Sequence, residues 1–173
     1  MRTFISINLP EEVREEIKKI QDKLPRFQGK LTELDNLHLT LKFLGEVDSQ
    51  RLKEIKKKLK GIKFEKFETE IDSLGVFSEK FIRIVWLHMK NCDRLQKEVD
   101  EKLEGMFEKE TRFMSHLTIA RVKFVKDKKK FLEELKSMKV PKISFKVIEF
   151  CLMKSELTKK GPKYSVLEVY KLN

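Results

Sequence analysis

The chain has 173 residues, 40% of them hydrophobic, and its 39 Lys and Arg against 28 Asp and Glu leave a formal charge of +11. That length buries a core without staples, so one compact unit, or two small lobes sharing a core, is expected, and a disordered or disulfide-stapled chain is excluded. No apolar run approaches the roughly 18 residues of a spanning helix, and the start Met-Arg-Thr-Phe-Ile-Ser-Ile lacks the features of a secretory signal. Cys92 and Cys151 form no ligand-spaced pattern, which suits a reducing, cytoplasmic setting; Cys92 precedes a predicted helix but reads as an inert structural cysteine. The positive balance favours an anionic partner such as RNA or DNA, while the Lys and Glu richness also fits a thermostable surface.

In chain order, residues 3 to 9 are β-like, and Pro10 opens a helical pattern with Val13, Ile17, Ile20 and Leu24 on one face, stopped by Pro25. A strand at about 37 to 44 follows, then a helix capped by Asp48 with Leu52, Ile55 and Leu59 and Gly61 near its end, then a strand-like stretch to a turn around Gly75. The order then restarts. Phe81 to Met89 is β-like, Leu95, Val99, Leu103 and Met106 mark a helix, a strand covers about 113 to 124, and Asp127 caps a helix with Phe131, Leu135 and Met138. Two further strands, near 142 to 154 and 163 to 171, flank a turn at Lys159-Lys160-Gly161-Pro162.

Spacing repeats along with order: Phe4 to His38 is 34 residues and Ile84 to His116 is 32, while His38 to Asp48 is 10 and His116 to Asp127 is 11. This predicts a duplication, with approximate repeats at 1–78 and 79–173. The expected fold is α+β: one domain of two pseudo-symmetric lobes, each an antiparallel sheet flanked by helices, with a central cleft between them.

The two copies share a short string, His38-Leu39-Thr40-Leu41 and His116-Leu117-Thr118-Ile119, which uses two of the three histidines. With seven threonines in the chain, two such hits among three histidines have about a half-percent chance of being accidental, so the string is treated as a motif. Alternation along a strand puts His38 with Thr40, and His116 with Thr118, on one face, and the aliphatic residues on the other. Imidazoles facing each other across a cleft can serve displacement at phosphorus, one taking a proton from the attacking oxygen and the other protonating the leaving oxygen. The adjacent threonine hydroxyls can donate to the non-bridging phosphate oxygens. Zinc, the competing use of paired histidines, is disfavoured because there is no HExxH, no close carboxylate pattern and no third ligand of good spacing.

The repeated HxTx motif resembles that of the 2H phosphoesterases, specifically the RNA 2′,3′-cyclic phosphodiesterase or 2′-5′ RNA ligase family. The resemblance also rests on Arg2 to Ile5 with Leu9-Pro10, the tract Asn36 to Gly45, Gly75-Val76-Phe77, Trp86, the tract His116 to Val122, Ser155-Glu156-Leu157, Gly161 and Tyr164. The chain departs from the family pattern at Ser115, usually a proline, and near Leu34, often an aromatic. The resemblance implies hydrolysis of a terminal 2′,3′-cyclic phosphate on RNA, tRNA fragments included, to a 2′-phosphate. It implies a monomer without metal or other cofactor and without membrane association. His38 is then the proton donor to the departing 3′ oxygen and His116 the base that activates water; the residues alone leave the two roles interchangeable. A 5′-hydroxyl in place of water would give 2′-5′ ligation.

Lys42 shares the front face of His38 by alternation, so it is either a phosphate contact or a solvated lysine. Arg121 matches the family's basic residue after the second motif, but alternation puts it on the Leu117 side, so it needs a bulge to reach substrate. Ser155 and Tyr164 match a family signature beside the site but read as turn and core residues, and His88, without a threonine partner, as a structural or surface histidine. The alternative in a different class is a non-catalytic single-stranded RNA-binding module, with Phe77 and Phe113 as stacking platforms.

Overall fold

Helices form where a stop or cap meets an apolar stripe. In this computed structural model, which describes residues 1–173, α1 (Glu11–Asp22) follows Pro10, carries Glu11 and Glu12 in its first turn and buries Val13, Ile17 and Ile20. α2 (Ser49–Lys60) and α4 (Lys128–Ser137) are capped as expected: Asp48 accepts from the Arg51 amide at 2.7 Å and Asp127 from the Lys130 amide at 3.1 Å. α3 (Asp93–Lys102) ends short of the expected Met106, just before Gly105, which takes a left-handed φ of 83°. None of the four is long and apolar enough to cross a membrane.

The strands are β1 (Arg2–Asn8), β2 (Gln28–Leu31), β3 (His38–Glu46), β4 (Phe67–Val76), β5 (Ile84–Met89), β6 (His116–Phe124), β7 (Ile143–Val147), β8 (Glu149–Thr158) and β9 (Gly161–Lys171). They form two antiparallel sheets in the orders β3-β1-β8-β9 and β2-β6-β5-β4-β7. The sequence pattern does not mark β2, because its four residues are all exposed and carry no apolar alternation. The single strand expected over 142 to 154 is two strands. The chain leaves the second sheet after Val147 and enters the first at Glu149, and the exposed Ile148 between them accepts a bond from the Leu172 amide through its carbonyl.

Setting β2 aside, the sheets correspond strand for strand: β3, β1, β8 and β9 match β6, β5, β4 and β7. The correspondence does not follow halves of the chain. β4 lies within residues 1–78 but belongs to the second sheet, while β8 and β9 belong to the first. Helices are exchanged as well: α1 packs on β6 and β7, whereas α3 packs on β3. Leu39 and Leu41 behind one motif join Leu117 and Ile119 behind the other in one continuous apolar core, together with Ile17 and Val99 from the exchanged helices. That core leaves the opposite faces of β3 and β6 free to form the cleft.

Candidate active site

β3 and β6 repeat the same order of burial, residue by residue over nine positions. His38 and Thr40 are half-buried while Leu39 and Leu41 are buried, and His116, Thr118, Leu117 and Ile119 match them. Each imidazole is anchored to the carbonyl two residues before it. Nδ1 of His38 lies 2.7 Å from the Asn36 oxygen, and Nδ1 of His116 lies 2.8 Å from that of Met114. A carbonyl only accepts, so Nδ1 carries a proton in both rings and Nε2 is the nitrogen outside that bond. Nε2 of His38 is 3.0 Å from the Thr40 hydroxyl.

Both motif strands bulge just after the threonine. Pairing skips Leu41 between Ser6–Thr40 and Ile5–Lys42, and skips Ile119 between Trp86–Thr118 and Val85–Ala120. A bulge reverses which face the following residues occupy. Arg121, which needed one, thus leaves the Leu117 face and is exposed, close enough to His38 for its charge to act there. Phe43 takes the equivalent place on β3. The same reversal corrects the expectation for Lys42: it turns into the core, where Nζ donates to the Asp100 carboxylate and, at 2.7 Å, to the Glu108 carbonyl. Lys42 is therefore neither a phosphate contact nor a solvated lysine. The matching bulge on β6 is braced from α1, where the buried Gln21 amide donates to the Ile119 carbonyl at 2.9 Å.

Aromatic rings enclose both imidazoles. His38 lies 4.9 Å from Phe4 and 5.1 Å from Tyr164, centroid to centroid, and His116 meets Phe77 edge-on at 4.9 Å. Tyr164 thus flanks the site, and Ser155 pairs with it across β8–β9. Burial pushes the His38 imidazole below the ordinary histidine value; the bond to the Asn36 carbonyl opposes this, while the charges of Arg121 and His116 add to it. Phe77 is exposed and also leans on Trp86, whose ring lies over Gly75 so closely that a Cβ there would sit 2.6 Å from it. Phe113 is half-buried and packs against the core. Both cysteines are free and buried; burial raises the Cys92 thiol despite its place before α3, and pushes Cys151 up to about 11.

His88, expected as a structural or surface histidine, is half-buried. It pairs with His116 across β5–β6, and its Nδ1 is 2.7 Å from the Asp72 carboxylate. Sequence reasoning missed Phe4 and Asp72: the first reads as an ordinary core residue, and the second reaches His88 through a bulge in β4 between Ile71 and Ser73.

The family model described as LigT like Phosphoesterase matches residues 7–86 and 88–164, two stretches that each hold one HxTx strand. A Methanocaldococcus jannaschii protein named RNA 2′,3′-cyclic phosphodiesterase is 39% identical over 173 residues, covering 97% of this chain and 99% of the relative. One of the same name from Thermotoga maritima is 37% identical, covering 96% and 93%. Among solved structures, Escherichia coli LigT complexed with 3′-AMP superposes with a TM-score of 0.81 at 27% identity, covering 99% of this chain and 98% of that one. A Thermus thermophilus protein gives 0.81 at 28% identity, covering 99% and 97%. With its two anchored imidazoles on matched strands, this chain belongs to the LigT-like phosphoesterase family.

Proposed function

We propose that the protein hydrolyses 2′,3′-cyclic phosphate ends of RNA to 2′-phosphates by paired histidine catalysis. The observation that carries this reading is the matched pair of imidazoles, each with Nδ1 tied to a backbone carbonyl and Nε2 left for proton transfer. His116 takes a proton from water as its oxygen bonds to phosphorus; the bond from phosphorus to the 3′ oxygen breaks, and His38 protonates that oxygen. Thr40 and Thr118 donate to the non-bridging oxygens and Arg121 offsets their charge, all without a metal. A 5′-hydroxyl in place of water yields a 2′-5′ linkage. The activity is the one for which the relatives are named. One chain supplies both imidazoles, which supports action as a monomer, and its two free thiols fit a cytoplasmic setting. RNA-processing fragments, those of tRNA included, are the substrates the reading implies.

The test is purified protein on an RNA ending in 2′,3′-cyclic phosphate, with the product mapped as 2′-phosphate. His38→Ala and His116→Ala should each slow turnover by about 100-fold or more, and the double variant should fall far short of the product of the two losses. A folded single variant that retains near wild-type rate overturns the assignment.

A further inference from the structure

A third imidazole stands on the face that carries His116. His88 is registered opposite His116, and Trp86 opposite Thr118, so His88 projects from the same side of the sheet, its Cβ about 5 Å from that of its partner. The bulge in β4 brings the Asp72 carboxylate to Nδ1 of His88, and Ser73 donates to the same carboxylate oxygen at 3.3 Å. Because a carboxylate accepts, Nδ1 carries a proton, and in the uncharged form of the ring Nε2 is an acceptor on the face that carries His116. The other lobe has no such group. The residue opposite His38 is Asn8, whose oxygen takes the Ser6 hydroxyl at 2.9 Å and whose amide nitrogen donates to the Met153 sulfur at 3.6 Å.

We propose that His88, held by Asp72, selects water over an alcohol as the nucleophile. This rests on the reading that His116 serves the attacking oxygen. Water has two hydrogens. One passes to His116 as the oxygen bonds to phosphorus and the 3′ oxygen leaves with the proton from His38; the other stays on the attacking oxygen and is held by Nε2 of His88. An alcohol, including an RNA 5′-hydroxyl, follows the same steps to a phosphodiester but brings one hydrogen, which His116 takes, so Nε2 of His88 is left facing an alkyl group. Hydrolysis then gains a hydrogen bond in the transition state that transfer to an alcohol cannot make.

The experiment runs a 2′,3′-cyclic mononucleotide in buffer containing methanol and measures the ratio of 2′-phosphate to methyl 2′-phosphodiester. His88→Asn keeps a donor for Asp72 at the Nδ1 position and removes the acceptor at Nε2. It should lower the ratio by about three- to tenfold while methanolysis holds within about twofold. His88→Gln, whose amide oxygen reaches the Nε2 position, should restore most of it. An unchanged ratio, or both products falling together, overturns the proposal. A cyclic substrate with sulfur in place of the 3′ oxygen needs no proton to leave, so it should rescue His38→Ala and not His116→Ala. Rescue of His116→Ala would sink the role assignment, whereas rescue of His38→Ala with an unchanged ratio sinks the role of His88 alone.

Discussion

His38 is tuned by its neighbours in a direction with measurable consequences. Its folded value lies below the ordinary one near 6.5, so folding disfavours the imidazolium, and the stability this group contributes is present above that pH and is lost as pH falls through the folded value. For His38 to give a proton, the bound phosphate anion must offset burial and the charges of Arg121 and His116. We therefore expect bell-shaped profiles in which the acidic limb of kcat lies at higher pH than that of kcat/KM; a rate rising monotonically through pH 9 on folded protein would contradict paired histidines. Arg121→Ala should raise the His38 value, read by NMR titration of the ring, and lower turnover at the same time. An unmoved His38 would place Arg121 too far away to matter. The histidines and threonines themselves were legible because alternation needs only one strand. The contact of Tyr164 with His38 was not, because nothing local to β9 says that it meets β3.

At the scale of elements, the bulge on β6 was anticipated only through Arg121, and the one on β3 was hidden. A bulge is settled between a strand and its partner, and neither Leu41 nor Ile119 carries a mark of it. Caps at Asp48 and Asp127 were legible, since a cap is a bond within four residues. The misplacing of Lys42 follows from the first bulge, and it exposes a working joint: α3 grips β3 through Asp100. Burial alone would raise that carboxyl, but bonds from Lys42, the Glu110 amide and Gln96, with the Lys42 charge, hold it below its ordinary value. Side-chain exposures of 6% and 7% place the pair beyond solvent screening. Lys42→Ala should thus cost about 3–5 kcal/mol in denaturant unfolding, because it strands a buried carboxylate, and Lys42→Met with Asp100→Leu should recover most of it. A loss under about 1 kcal/mol for the single variant would show that water reaches the joint.

For the molecule as a whole, the +11 charge predicts a contrast between substrates. Affinity for an oligonucleotide should fall steeply with salt, and affinity for a cyclic mononucleotide much less; equal slopes would assign the lysines to solubility or thermostability alone. The repeated order of elements was legible from spacing, yet the exchange of strands and helices between the halves was not, because a repeat in sequence does not say which copy an element packs on. That exchange predicts a single unfolding transition, the same by far-UV dichroism and by Trp86 fluorescence, with no state in which one sheet survives. It also has a consequence for the order of synthesis. β1 is made well before its neighbour β8, which begins only at Glu149, so one side of β1 stays unsatisfied while the intervening residues are made. A nascent chain that already holds both histidines still lacks β8 and β9, and with them the Tyr164 ring that packs against His38.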